Sequence, residues 1–102
     1  TNSIATSAML KAGADRGATG ENSVIVCASD ADIIVGPVGI VIADSLLGEI
    51  TAAMAAAVGR SSAHKILIPV NKCNNIIIGV NDKSTSDLIR EAIEKIKEIS
   101  QE

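Results

Sequence analysis

Three mostly apolar runs in this chain are predicted to be strands, at residues 33–35, 65–70 and 76–80. Their β-branched character is typical of strands, and the first run is expected to be covered on both faces. The five residues between the second and third runs are too few for a parallel crossover, which needs about a dozen. If these two runs pair directly, they form an antiparallel hairpin, with 76–80 at the edge of a mixed, mostly parallel sheet.

Apolar residues spaced three and four positions apart predict helices. Asn2 or Ser3 is expected to cap the first helix, Thr51 an alanine-rich helix at 52–58, and Ser84 a helix that includes 87–100. The last helix is the most clearly amphipathic. Its inward positions are predicted to be Ile89, Ala92, Ile93, Ile96 and Ile99.

Residues 21–29 fit two structures. The β-branched run at 24–27 favours a strand, whereas Thr19 ahead of Glu21 resembles a helix cap. A short helix is preferred, because residues 31–35 then follow as the next strand of an alternating series. Such alternation predicts a layered α/β fold.

Composition narrows the possible functions. A chain of 102 residues is one domain, and without aromatic residues it has no platform on which bases could stack. Its net charge of -3 and the absence of a basic patch argue against nucleic acid as a partner. No apolar run reaches the ~20 residues that span a membrane. Cys27 and Cys73 make no disulfide framework, which favours a cytoplasmic protein.

The turn Gly36-Pro37-Val38-Gly39 follows the first predicted strand. Glycines at the carboxyl end of a strand let a ligand approach the backbone, and open α/β sheets bind ligands at this edge. The alternative is an ordinary turn, and Pro37 supplies no amide to hold an anion. Gly36 and Gly39 are therefore candidate ligand-binding residues.

Asp44-Ser45 and Glu49 lie within the apolar segment that follows this turn. A carboxylate in apolar surroundings suits a general base, so Asp44 and Glu49 are weak candidates for catalysis and Asp44 and Ser45 for ligand binding. The alternative, which the sequence favours, is that Asp44 caps the turn into the next helix.

Polar residues at 71–75 follow the second predicted strand. If the first two strands are parallel, this loop and the Gly36 turn open on the same edge, where Asn71 and Lys72 could read hydroxyl or phosphate groups. The alternative is a hairpin turn, since asparagine tolerates left-handed backbone angles.

Other combinations of reactive residues are weak. Cys27, Cys73 and His64 lack the number and spacing of ligands that a closed zinc site needs, so no metal is expected. His64 is expected at the surface, far in sequence from Asp44-Ser45, and no catalytic triad is apparent. Cys27 is expected to be a small buried apolar residue.

Three long segments resemble a bacterial family of unknown function: NSIATSAMLKAGADRGATGEN, ADIIVGPVGIVIADSLLGEIT and KILIPVNKCNNIIIGV. Members of that family open with a strand, a glycine-rich turn and a helix of Rossmann type. The resemblance therefore implies a Rossmann-like three-layer α/β domain over residues 1–102. It also implies that the opening unit precedes Thr1, so that this chain is N-terminally truncated.

Together these features predict a binder of a nucleotide, a dinucleotide or a small phosphorylated ligand in a crevice at the strand carboxyl ends. A second hypothesis is a non-catalytic homo-oligomer that associates through the edge strand 76–80, which lacks the charges that protect exposed strands. A third, a hydrolase or lyase, would use Asp44 and Glu49 as an acid-base pair.

Overall fold

The computed structural model describes residues 2–70, 74–80 and 83–101. These residues form an α/β domain whose elements are, in chain order, α1 (Ser3–Lys11), α2 (Glu21–Asp30), β1 (Ile33–Pro37), a 3-10 helix (Val38–Val41), α3 (Ala52–Arg60), β2 (His64–Ile68) and α4 (Thr85–Ser100). The α/β prediction is thereby confirmed, while a Rossmann-like three-layer arrangement stays a prediction.

The sheet of the described residues consists of β1 and β2, which pair in parallel. Ile33 lies opposite His64 at one end, and Pro37 lies opposite Ile68 at the other. β2 ends two residues earlier than predicted, because Pro69 has no amide to donate to a ladder. The next amide, that of Val70, turns back to the carbonyl of Ile68 at 2.8 Å.

Residues 76–80 form no strand, so the predicted strand and its antiparallel edge hairpin are wrong. Ile76 and Ile78 are 86% and 90% exposed. Gly79 has a φ of 90°, which interrupts an extended backbone. A β-branched run stays extended only where a neighbouring strand pairs with it, and the described residues place none beside this one.

The caps predicted for α1, α3 and α4 are confirmed. Asn2 Oδ1 accepts from the Ala5 amide at 3.0 Å, Thr51 Oγ1 from the Met54 amide at 3.2 Å, and Ser84 Oγ from the Asp87 amide at 3.1 Å. Each side chain satisfies an amide that the first helical turn leaves without a partner. Residues 21–29 are helical, as preferred, but the cap predicted at Thr19 is wrong: the N-cap of α2 is Gly20, which has no side chain to accept from the first turn.

The core lies around α3. Met54, 1% exposed, packs with Ile50 and Ala55, and Val24, Ile40 and Leu46 complete the cluster. Without aromatic residues the interior depends on close packing of aliphatic side chains, and α2 lies directly against α3.

The inward face predicted for α4 is only partly confirmed. Ala92 is buried and Ile96 and Ile99 are half-buried, but Ile89 and Ile93 remain 45% and 46% exposed. The apolar arc of this helix is wider than the surface that β2 offers it. In α1, all of whose residues are described, no residue is buried.

Within the described ranges, no helix has both the length and the apolar character needed to cross a membrane.

Candidate functional site

The carboxyl ends of β1 and β2 lie side by side. Pro37 and Ile68 are register partners in the parallel pair, so the segments that follow them leave the sheet at the same edge. This edge is where open α/β sheets bind ligands. Asn71 and Lys72, which the sequence predicts at this edge, lie outside the described residues.

Gly36 and Gly39 make room for the chain that follows them. A Cβ at Gly36 would lie 3.0 Å from Cδ1 of Ile40. Gly39 is buried, and a Cβ there would lie 3.0 Å from Oγ of Ser45 and 3.4 Å from its Cβ. Both glycines thus let the backbone fold tightly over the end of β1.

Ser45 is the one buried polar residue in the described part of the chain, at 7% exposed. Its hydroxyl donates to the carbonyl oxygen of Gly39. Its own amide donates to Ile42 at 3.2 Å, and its carbonyl accepts from Ile50 at 3.3 Å. Ser45 therefore holds the segment that connects the 3-10 helix to α3.

This segment, residues 42–50, is a compact loop closed on itself; we call it the 42–50 loop. The amide of Asp44 donates to the carbonyl of Ile50 at 2.6 Å, and that of Gly48 donates to the carbonyl of Asp44 at 3.2 Å. Asp44, Leu46 and Leu47 all have left-handed backbone angles, with φ of 64°, 55° and 58°. For leucine this conformation is costly, and such strain concentrates at functional sites in proteins.

Two expectations for Asp44 are wrong. It is exposed, so it does not lie in the apolar surroundings that the general-base hypothesis needs. It caps no helix, because turns follow it and Thr51 caps α3 instead. Glu49, the other candidate for acid-base chemistry, is half-buried in the same loop.

The remaining reactive side chains are dispersed. Cys27 is exposed on α2, so the prediction of a buried cysteine is wrong. His64 is exposed, as expected, at the start of β2. Among the described residues, no three His, Cys, Asp or Glu side chains are grouped to hold a metal ion.

A polar cavity at the opposite, amino edge of the sheet was not predicted from the sequence. It has a volume of about 590 Å³, and its polar side chains are Asp32, Ser62, His64 and Ser100. The amide of His64 donates to the carbonyl of Asp32 at 3.0 Å, which ties the two strand entrances together. In the sequence, the cavity could have been recognised only from the polar residues just ahead of each strand run. The parallel register brings these residues to one edge.

Over residues 1–101 the chain matches the family described as Domain of unknown function (DUF3842), and it therefore belongs to that family. This confirms the resemblance to a family of unknown function. Neither a curated protein nor a solved structure matches the chain.

Proposed function

We propose that this member of the DUF3842 family is a Rossmann-like domain that binds a nucleotide or small phosphorylated ligand at the carboxyl edge of β1 and β2. The observation that carries the proposal is the register of Pro37 opposite Ile68, which starts two loops from one edge. In α/β proteins, ligands bind in crevices between such loops.

The described geometry divides the predicted roles between Asp44 and Ser45. The carboxylate of Asp44 is exposed and is available to accept a hydrogen bond from a ligand hydroxyl. The hydroxyl of Ser45 is buried and donates to Gly39, so it positions the 42–50 loop and does not itself contact the ligand. Gly36 and Gly39 keep the loop close to the strand end.

In this proposal, Lys72 binds the phosphate group of the ligand. It follows Val70 by two residues, and an ammonium group at this edge offsets phosphate charge. Lys72 lies outside the described residues, so this role is argued from its position after β2.

A calorimetric titration of the full chain with ADP tests the proposal. We expect saturable binding that Lys72→Gln weakens about tenfold, because a hydrogen bond to a charged group contributes about 1.5–3 kcal/mol. Lys97→Gln removes the same charge from the last turn of α4 and is the matched control. An equal loss in both variants, or no saturable binding of ADP, would contradict the proposal.

A second candidate function is self-association through residues 76–80. Its support is the exposure of Ile76 and Ile78, at 86% and 90%, in a segment without charged side chains. When a second copy covers apolar surface of this kind, its removal from water favours association.

Sedimentation of wild type and of Ile78→Lys tests this candidate. We expect a concentration-dependent dimer that the substitution abolishes. Ile4→Lys, at a position on α1 that is 82% exposed, should leave the dimer intact. A monomer at every concentration of wild type would remove the candidate.

A further inference from the structure

Three helices end around the amino-edge cavity. Ala31, the C-cap of α2, Ser62, which follows the C-cap of α3, and Ser100, the last residue of α4, all line it. The carboxyl end of a helix carries a partial negative charge, because its last carbonyl oxygens have no partner within the helix. We propose that this cavity binds a small organic ammonium ion.

The side chains at the cavity add to this negative potential. Asp32 supplies a full negative charge at the mouth. The hydroxyl of Ser100 donates its proton to the carbonyl of Ile96 at 2.7 Å, so its oxygen remains an acceptor. Of the described residues that line the cavity, none is a lysine or arginine.

Lys65 shows the same chemistry at the end of α3. Its ammonium group donates to the carbonyl of Ser61, the C-cap of α3, at 2.5 Å. An ammonium group of the chain itself thus satisfies the carboxyl end of α3. The last turn of α2 carries no basic side chain, so the negative potential of its end adds to the charge of Asp32.

An organic cation fits this cavity better than a metal ion. A bound metal needs several side-chain ligands around one point, and the described residues contain no such group of three. An ammonium group needs hydrogen-bond acceptors only, which the cavity offers as a carboxylate and two hydroxyls. A volume of about 590 Å³ also leaves room for the carbon chain of the cation.

Putrescine is the probe, titrated into the full chain. Amide chemical shifts report the binding. We expect saturable shifts at Ala31, Ser62 and Ser100, and none with butanediol, which has the same length without the charge. Asp32→Asn should weaken binding about tenfold, as expected for the loss of a charged hydrogen-bond partner.

Asp30→Asn is the matched control, since Asp30 is exposed at the end of α2 but lines a different cavity. It should retain the affinity of wild type. Equal weakening by both variants would overturn the proposal in favour of attraction to the net negative charge. Saturable shifts with Mg²⁺ but not with putrescine, or with neither, would also overturn it. Should Asp32→Asn fail to fold, Ser100→Ala gives the same test, with a smaller loss expected.

Discussion

The buried hydroxyl of Ser45 donates a hydrogen bond to the carbonyl oxygen of Gly39, six residues earlier in the chain. This contact determines how the backbone leaves β1. It holds the 42–50 loop close to the 3-10 helix, while Asp44, the preceding residue, is exposed. A buried side chain near the proposed site thus has a structural role that its sequence pattern did not indicate.

Removing this hydroxyl should destabilise the domain. Ser45→Ala leaves the Gly39 carbonyl without its partner in a buried position, and we expect the free energy of unfolding to fall by about 2 kcal/mol. Urea denaturation measures the change. Ser86→Ala, at an exposed position on α4, should change the free energy of unfolding little; an equal loss in both variants would show that the hydrogen bond is unimportant.

Gly39 and Ser45 should be energetically coupled. Gly39→Ala places a Cβ 3.0 Å from Oγ of Ser45, which is too close without movement. In the Ser45→Ala background that oxygen is absent, so the double variant should be more stable than the sum of the two single losses predicts. A double-mutant cycle from denaturation curves measures the coupling. Strictly additive losses would mean that a Cβ at position 39 does not clash with the Ser45 hydroxyl.

Leu47 should be better replaced by asparagine. It has a φ of 58° and its side chain is fully exposed. The left-handed backbone therefore lowers the stability of the domain, and no burial of the side chain offsets this loss. Leu47→Asn should raise the free energy of unfolding by roughly 1 kcal/mol, because asparagine tolerates this conformation. Leu47→Ala, which removes the same exposed surface and keeps the backbone strain, is the control and should not stabilise the domain.

The two methionines offer a matched test of the core. Met54 is 1% exposed at the centre of the cluster, whereas Met9 on α1 is 59% exposed. Met54→Ala should lower the free energy of unfolding by about 3 kcal/mol through lost burial and the cavity that remains. Met9→Ala should lower it by far less. Similar losses would contradict the position of the core around α3.

The sequence predicted best the features that depend on contacts between residues close together in the chain. Asn2, Thr51 and Ser84 begin helices because their side chains satisfy amides only three residues away. The sequence predicted a mostly parallel sheet and left the pairing of the first two strands as a condition; they do pair in parallel, which places their carboxyl ends at one edge.

What the sequence could not predict depends on contacts between distant residues. The run at 76–80 has the β-branched residues of a strand, but the described residues place no strand beside it and Gly79 interrupts its extended backbone. In sequence, Asp44 resembles a helix cap. In the structure its amide donates to the carbonyl of Ile50, which closes a loop instead. The amino-edge cavity is built from the ends of three helices, none of which is close to another in sequence.

Amide chemical shifts during a titration of the full chain with ADP test the central claim most directly, since they report where the ligand binds. We predict saturable shifts concentrated at Gly36, Gly39 and the 42–50 loop, at the carboxyl edge of the sheet. Saturable shifts confined to Ala31 and Ser62 at the opposite edge, or no saturable shifts, would contradict the claim.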